Sequence, residues 1–404
     1  MVKAVARAHA WSLDKTGTIS MGTLDHREIL EQEQIEIRGV SEEVLRVHGV
    51  LPGRREEGIT RLIYENANGL SNRLGGNAKL NKAKDLIDKL EADVVLYNEH
   101  RQNLMHSDNR NGWNQLFGGG EAEVRSVVAH NVHEGCQVGC LQEGGTGILM
   151  FGQLTKYLDM PNSGKDESGL GRWTMMVVKG DGVQTRIICG YNPCGNRRTD
   201  SSISYQQHQQ YLIQQKRDAV TCPRTKFQDD LISLLRTWRE AGDRIVVCLD
   251  ANKNIYTKSI GKALTEEEGL GMKEVVGDYT GRWIGQHIFW GQLPIDGVWA
   301  TRDVTVANAC IMPAGYGIGD HCLFVIDLHT SSLVGTAPLW ERRAASRWLN
   351  THLPHVVAKY NKNLEVNILR HRLIEKLGRV IFRAMGRRRS NLESIKLISR
   401  ASNT

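Results

Sequence analysis

Between residues 59 and 328, short apolar runs alternate with amphipathic ones, and most apolar runs stop at a polar residue. The apolar runs are ITRLIYE (59–65), DVVLYNE (93–99), GILMF (147–151), WTMMVVK (173–179), TRIICGY (185–191), RIVVCLD (244–250), IDGVWAT (295–301), VTVANACIM (304–312) and HCLFVIDL (321–328). Their length, β-branched content and flanking Gly, Asn or Asp read as strands. Between them, residues 79–90 put Leu80, Ala83, Leu86, Ile87 and Leu90 on one helical face. Residues 229–239 do the same with Leu231, Leu234, Leu235 and Trp238, and Gly242 ends the run. Alternation over about 270 residues predicts one large α/β domain with helices covering sheet faces.

Composition sets the limits. With 40% hydrophobic residues in 404, a wholly disordered chain is excluded. No run of uncharged apolar residues reaches membrane-spanning length, and the first residues hold no apolar stretch of secretory length. The 8 cysteines fall partly inside apolar runs, so they read as small hydrophobes in a reducing, intracellular compartment. The net charge of +7 is uneven. Residues 331–404 carry 15 Lys/Arg against 4 Asp/Glu, whereas residues 1–58 carry 8 basic and 10 acidic side chains. The expected organisation is a polar N-terminal extension (1–58), a catalytic domain (59–329) and a basic helical tail (330–404). In that tail Leu369, Leu373, Leu377, Ile381 and Met385 recur every four residues.

The polar residues that close the strands form a set. Asn66 and Asn68 follow RLIYE, Asn98 and Glu99 follow DVVLY, and Tyr191 and Asn192 follow RIICG. Asp250 and Asn252 follow IVVCL, Asp296 precedes GVWAT, and Asp320-His321 opens CLFVIDL. Singly, each is an ordinary turn former. Together they offer hard oxygen ligands suited to Mg²⁺ or Mn²⁺, with a tyrosine and an Asp-His pair for hydrogen bonding and proton transfer. There is no GxxxxGK phosphate loop and no GxSxG nucleophile turn. The matching chemistry is metal-assisted attack of water on phosphorus, without a covalent enzyme intermediate.

The motifs YENANGL, DVVLYNEHR, RIICGYNPC, VVCLDAN, PIDGVWA and GDHCLFVIDL, in this order, resemble the endonuclease/exonuclease/phosphatase superfamily. With EGGTGILMFG and GRW, they are most similar to endonuclease domains of eukaryotic retrotransposon-type mobile elements. The resemblance implies a two-sheet α/β sandwich with helices on its outer faces. It implies a Mg²⁺-dependent (Mn²⁺ as substitute) DNA-nicking phosphodiesterase, with DNA as partner and no membrane. Position by position, Asn66, Glu99 and Asp320 fall on the metal side. Tyr191 contacts phosphate, Asp250 aligns or activates water, and Asn252 supports it. Asp296 orients His321, which is a general base or a phosphate-binding imidazole. Four positions depart from the pattern: Asn98 stands for Gln, Leu249 for Gly, Gly319 for Ser and Asn68 for Asp.

Further features keep two readings each. His130, His133, Cys136 and Cys140 have zinc-ligand types, although their spacing fits no common zinc module and they also read as loop residues. Trp283 either stacks on a nucleic-acid base or packs in the core. Arg387, Arg388 and Arg389 with the preceding basic helix bind phosphate or direct nuclear import, or else belong to a solvated packing helix. Two alternatives to the nuclease are a phosphatase on phosphoinositides or nucleotides with the same fold, and an inactive nucleic-acid-binding module.

Overall fold

The computed structural model describes residues 46–70, 77–106, 112–118, 123–133, 141–195, 204–216, 222–257, 260–266, 270–281, 293–336 and 354–377. In chain order these form β1 (His48–Gly49), β2 (Ile59–Asn66), α1 (Asn77–Lys89), β3 (Val94–Asn98), α2 (Trp113–Phe117), β4 (Val124–Ala129), β5 (Thr146–Phe151), β6 (Gly164–Lys165), β7 (Trp173–Gly180) and β8 (Val183–Tyr191). They continue with α3 (Ser204–Lys216), α4 (Pro223–Glu240), β9 (Arg244–Asp250), α5 (Ile260–Thr265), β10 (Lys273–Glu274), α6 (Val275–Thr280), β11 (Asp296–Ala300), β12 (Val306–Ile311), β13 (Phe324–His329), α7 (Thr330–Val334) and α8 (Pro354–Arg370).

The strands make two mixed sheets, ordered β1-β12-β13-β2-β3-β5-β4 and β10-β11-β9-β8-β7-β6. The pairs β2/β3 and β8/β9 are parallel, and each is joined through a helical connection, as parallel neighbours require. The sheets pack face to face. Successive side chains on a strand point to opposite faces. Leu62, Tyr64, Val94 and Leu96 of the first sheet therefore meet Ile187, Cys189, Val246 and Cys248 of the second in the central core. Ile63, Val95 and Tyr97 point the other way, onto Leu80, Ala83, Leu86 and Ile87 of α1. Ile188, Ile245, Val247 and Leu249 likewise meet Phe227, Leu231 and Leu235 of α4. Both faces of the central strands are covered, which is why their sequences are nearly continuous apolar runs. Helix α4 ends where Gly242 takes φ +85°, a left-handed turn that glycine makes without Cβ strain. The architecture is the expected α/β sandwich of two sheets with helices outside.

Two compact units divide the chain, Met1–Arg342 and Arg343–Thr404. Within the first, His48–Gly49 of the expected extension pairs with β12, and Thr330–Val334, past residue 329, packs on β7 and β8. The second unit holds α8, none of whose residues is buried. Leu369 and Leu377 of the stripe are exposed, and Ile381 and Met385 lie outside the described residues. Among the described residues, no helix is long and apolar enough to cross a membrane.

Candidate active site

Strand register brings the site together. Asn66 on β2 pairs across from Asn98 on β3, while Asp250 at the end of β9 lies between Tyr191 on β8 and Asp296 on β11. The functional side chains thus collect at the carboxyl ends of β2, β3, β8 and β9, with Asp296 from the start of β11 and His321 from the loop entering β13.

Asp250 is fully buried. Its Oδ2 accepts the Asn66 Nδ2–H at 2.8 Å, and its Oδ1 accepts the backbone N–H of Asn252 at 2.9 Å. Asn252 turns with φ +48° and donates from Nδ2 to the Asn192 carbonyl at 2.8 Å. The Asn66 Oδ1 accepts the Asn68 backbone N–H at 2.9 Å, so Asn66 enters as an aligning donor toward Asp250. Asp296, also buried, accepts the His321 Nδ1–H on Oδ2 at 2.7 Å and the Tyr64 hydroxyl on Oδ1 at 3.1 Å. Asp250, Asp296 and His321 present ligand atoms that all lie within 4.8 Å of one another.

This crowding sets the electrostatics. Burial first, then the neighbouring Asp296 carboxylate, push the Asp250 carboxyl well above the usual carboxylate range, against the opposing pull of His321. For His321, burial opposes the charged form, but Asp296, Asp250 and Asp320 outweigh it and raise the imidazole to about 10. The ring is therefore an imidazolium at neutral pH, compensating two buried aspartates.

Glu99 and Asp320 sit beside this cluster rather than in it. Glu99 takes φ +46°, an uncommon conformation for a non-glycine residue that aims its half-buried carboxylate toward the site. That carboxylate accepts Arg101 at 2.9 Å and is hydrogen-bonded to Tyr191, whose hydroxyl is held in its neutral form chiefly by burial and then by Glu99 and Asp250. The Oδ1 of Asp320 is buried with no hydrogen-bond partner. An orphaned carboxylate oxygen costs desolvation energy unless a cation meets it. Glu99 acts electrostatically on Asp250, and Asp320 on His321; carboxylate oxygens of this kind are donors that suit a hard divalent cation.

Sequence reasoning missed several supporting groups. Lys79, at the start of α1, bonds the carbonyls of Ala67 and Asn68 (3.0 Å for the latter), pinning the turn after β2. Arg224, at the start of α4, bonds the carbonyl of Asn252 at 2.6 Å. Glu65 is buried, and its carboxylate accepts the backbone N–H groups of Ile318 (2.9 Å) and Gly319 (2.6 Å). Glu65 stands next to the end of β2, and nothing in the sequence marks Lys79 or Arg224. Trp283, Arg387, Arg388 and Arg389 lie outside the described residues, as do Cys136 and Cys140. Of the possible zinc ligands, His130 is buried with neither ring nitrogen bonded. His133 is bonded through Nε2 to the Ser168 carbonyl at 2.7 Å.

No family model matches the chain, and no curated protein matches it. Solved structures of similar fold include the human Nocturnin catalytic domain, at 13% identity and TM-score 0.46, covering 70% of this chain and 96% of that one. The AP endonuclease LMAP from Leishmania major is similar at 14% identity and TM-score 0.47, covering 80% and 98%. An endonuclease/exonuclease/phosphatase from Bacteroides vulgatus is similar at 14% and 0.42, covering 67% and 98%.

Proposed function

We propose that this chain is a Mg²⁺-dependent phosphodiesterase that nicks DNA, with the mobile-element origin its motifs suggest. One observation carries the reading. Two buried aspartates that accept hydrogen bonds, and an imidazolium that donates to one of them, meet at strand ends beside an orphaned carboxylate oxygen. Such a centre suits an anion that is attacked by water.

Glu99 and Asp320 would hold the Mg²⁺, with Asn66 supporting that side through Asp250. When bound, the ion supplies Lewis-acid charge at the phosphoryl oxygen. The Asp250 carboxylate, with its basicity raised by burial, accepts a proton from the attacking water. Asn252 fixes the Asp250 orientation through its backbone N–H. The His321 imidazolium holds a non-bridging phosphate oxygen, and Asp296 keeps it charged and oriented. The Tyr191 hydroxyl, neutral, buried and bonded to Glu99 in the free protein, would turn its O–H to the same phosphate once Glu99 engages the ion. Water oxygen bonds to phosphorus as the ester P–O bond breaks; the departing alkoxide takes a proton from solvent water to give a hydroxyl end, and Asp250 returns its proton to solvent. Trp283 and Arg387–Arg389 are proposed to bind nucleic acid, the latter also directing the protein to the nucleus.

The test is incubation of pure protein with supercoiled plasmid, with Mg²⁺ or with EDTA. Relaxed circles only with metal support the reading. Nicking that survives EDTA, or no nicking with Mg²⁺ or Mn²⁺, removes it. Release of inorganic phosphate from phosphoinositides or nucleotides without nicking replaces it with the phosphatase.

A further inference from the structure

We infer that Tyr64, held by Asn98, is a positioning residue for the Asp296–His321 pair; this rests on the hydrolytic reading above. Tyr64 lies inside an apolar run and is fully buried, yet its hydroxyl is part of a continuous polar chain. The Tyr64 O–H donates to Asp296 Oδ1 at 3.1 Å, and the Tyr64 oxygen accepts the Asn98 Nδ2–H at 2.9 Å. Asn98 donates its other amide hydrogen to the Gly190 carbonyl at 2.9 Å and accepts the Cys189 thiol at 2.8 Å. Asp296 passes the chain to His321 at 2.7 Å.

The chain stitches the two sheets together at the site. Tyr64 and Asn98 belong to β2 and β3 of one sheet, while Cys189, Gly190 and Asp296 belong to β8 and β11 of the other. Each bond from the first pair to the second crosses the interlayer. Both amide hydrogens of Asn98 are used, and so are both carboxylate oxygens of Asp296, one by Tyr64 and one by His321. A carboxylate with a fixed donor on one oxygen has one orientation for the other. Tyr64 thereby fixes where Asp296 points, and Asp296 fixes the ring of His321. Packing is a separate role of the same residue, since its ring lies 5.6 Å from that of Phe324. A phenylalanine keeps the packing and loses only the hydroxyl.

Tyr64→Phe separates the two roles. The expected result is a fall in kcat of about tenfold or more, the scale of one hydrogen bond to a charged group, with KM within about twofold. At fixed pH, the downfield Nδ1–H proton resonance of His321, assigned by its loss in His321→Gln, shifts in Tyr64→Phe. Asn98→Ala combined with Tyr64→Phe loses little beyond Tyr64→Phe alone, because the two act through one path. A resonance at its wild-type position in Tyr64→Phe overturns the inference. So does a wild-type kcat in that variant. If wild type nicks nothing, the hydrolytic reading fails by itself, and the resonance still decides whether Tyr64 positions His321.

Discussion

The loop that delivers Asp320 and His321 has no room for a side chain at Gly319. A Cβ built there would lie 1.9 Å from the Asn66 carbonyl oxygen. Carbon–oxygen separations settle at about 3.3–3.6 Å, so the substitution Gly319→Ser must drive the loop or β2 back by about 1.5 Å. The loop cannot retreat freely, because the buried Glu65 carboxylate grips the N–H groups of Ile318 at 2.9 Å and Gly319 at 2.6 Å. Overpacking costs about 1–3 kcal/mol, and loss of a hydrogen bond to a charged group about 1.5–3 kcal/mol. Gly319→Ser should therefore lower stability by about 3 kcal/mol. It should cut nicking by about 100-fold, because a displacement of about 1 Å at a catalytic group has that scale. Urea unfolding measures the first and plasmid relaxation the second. Gly164→Ala is the control, since a Cβ there meets nothing within 4 Å; it should stay within about 0.5 kcal/mol of wild type. Gly319→Ser with wild-type stability and activity would refute the proposed packing of this loop.

Glu99→Gln should abolish metal-dependent nicking while leaving the unfolding midpoint unchanged or slightly raised, because carboxylates crowded at one site repel each other; an active variant contradicts the role given to Glu99. His321, raised to about 10, carries a charge whose stabilisation is complete below its ordinary pKa of about 6.5 and is lost as pH rises through about 10. Nicking should fall over the upper part of that range, and Asp296→Asn should move the limb to lower pH; a limb that stays in place assigns the titration to another group. Removing residues 343–404, the second compact unit, should leave cleavage sites unchanged. It should flatten the log–log salt dependence of DNA binding by about 0.9 for each phosphate that the tail had neutralised, and an unchanged slope would show that the tail does not touch DNA.

Much of this architecture was legible in the residues. All nine apolar runs contain a strand, and the helical faces at 79–90 and 229–239 fall in α1 and α4. Strand β4 was not legible, because VRSVVA at a sheet edge is mostly half-buried and lacks a buried-strand pattern. Helix α3 was missed for a related reason. Its buried side chains include Ser204, Gln207 and His208, so no apolar stripe marks it. The departures at the site have physical counterparts that only the folded chain reveals. Leu249 lies opposite Gly190 in the β8/β9 register, and a Cβ on Gly190 would come within 3.1 Å of the Leu249 side chain. Asn98 reaches the Tyr64 hydroxyl, and Gly319 leaves space for the Asn66 carbonyl. Nothing in the run ITRLIYE singles out Tyr64, because hydrophobicity records its ring and not the bond its hydroxyl makes.

The proposed catalysis depends on Asp250 accepting a proton at a metal-assisted site. The most direct measurement is plasmid relaxation by wild type and Asp250→Asn, purified identically, each with Mg²⁺ and with EDTA. Wild type should relax the plasmid with Mg²⁺ alone, and Asp250→Asn should not relax it at all, with circular dichroism confirming a folded variant that is somewhat less stable because its amide turns N–H toward one of the two donors, Asn66 Nδ2 or the Asn252 backbone. Relaxation by Asp250→Asn at the wild-type rate would contradict the role of Asp250 as the proton acceptor.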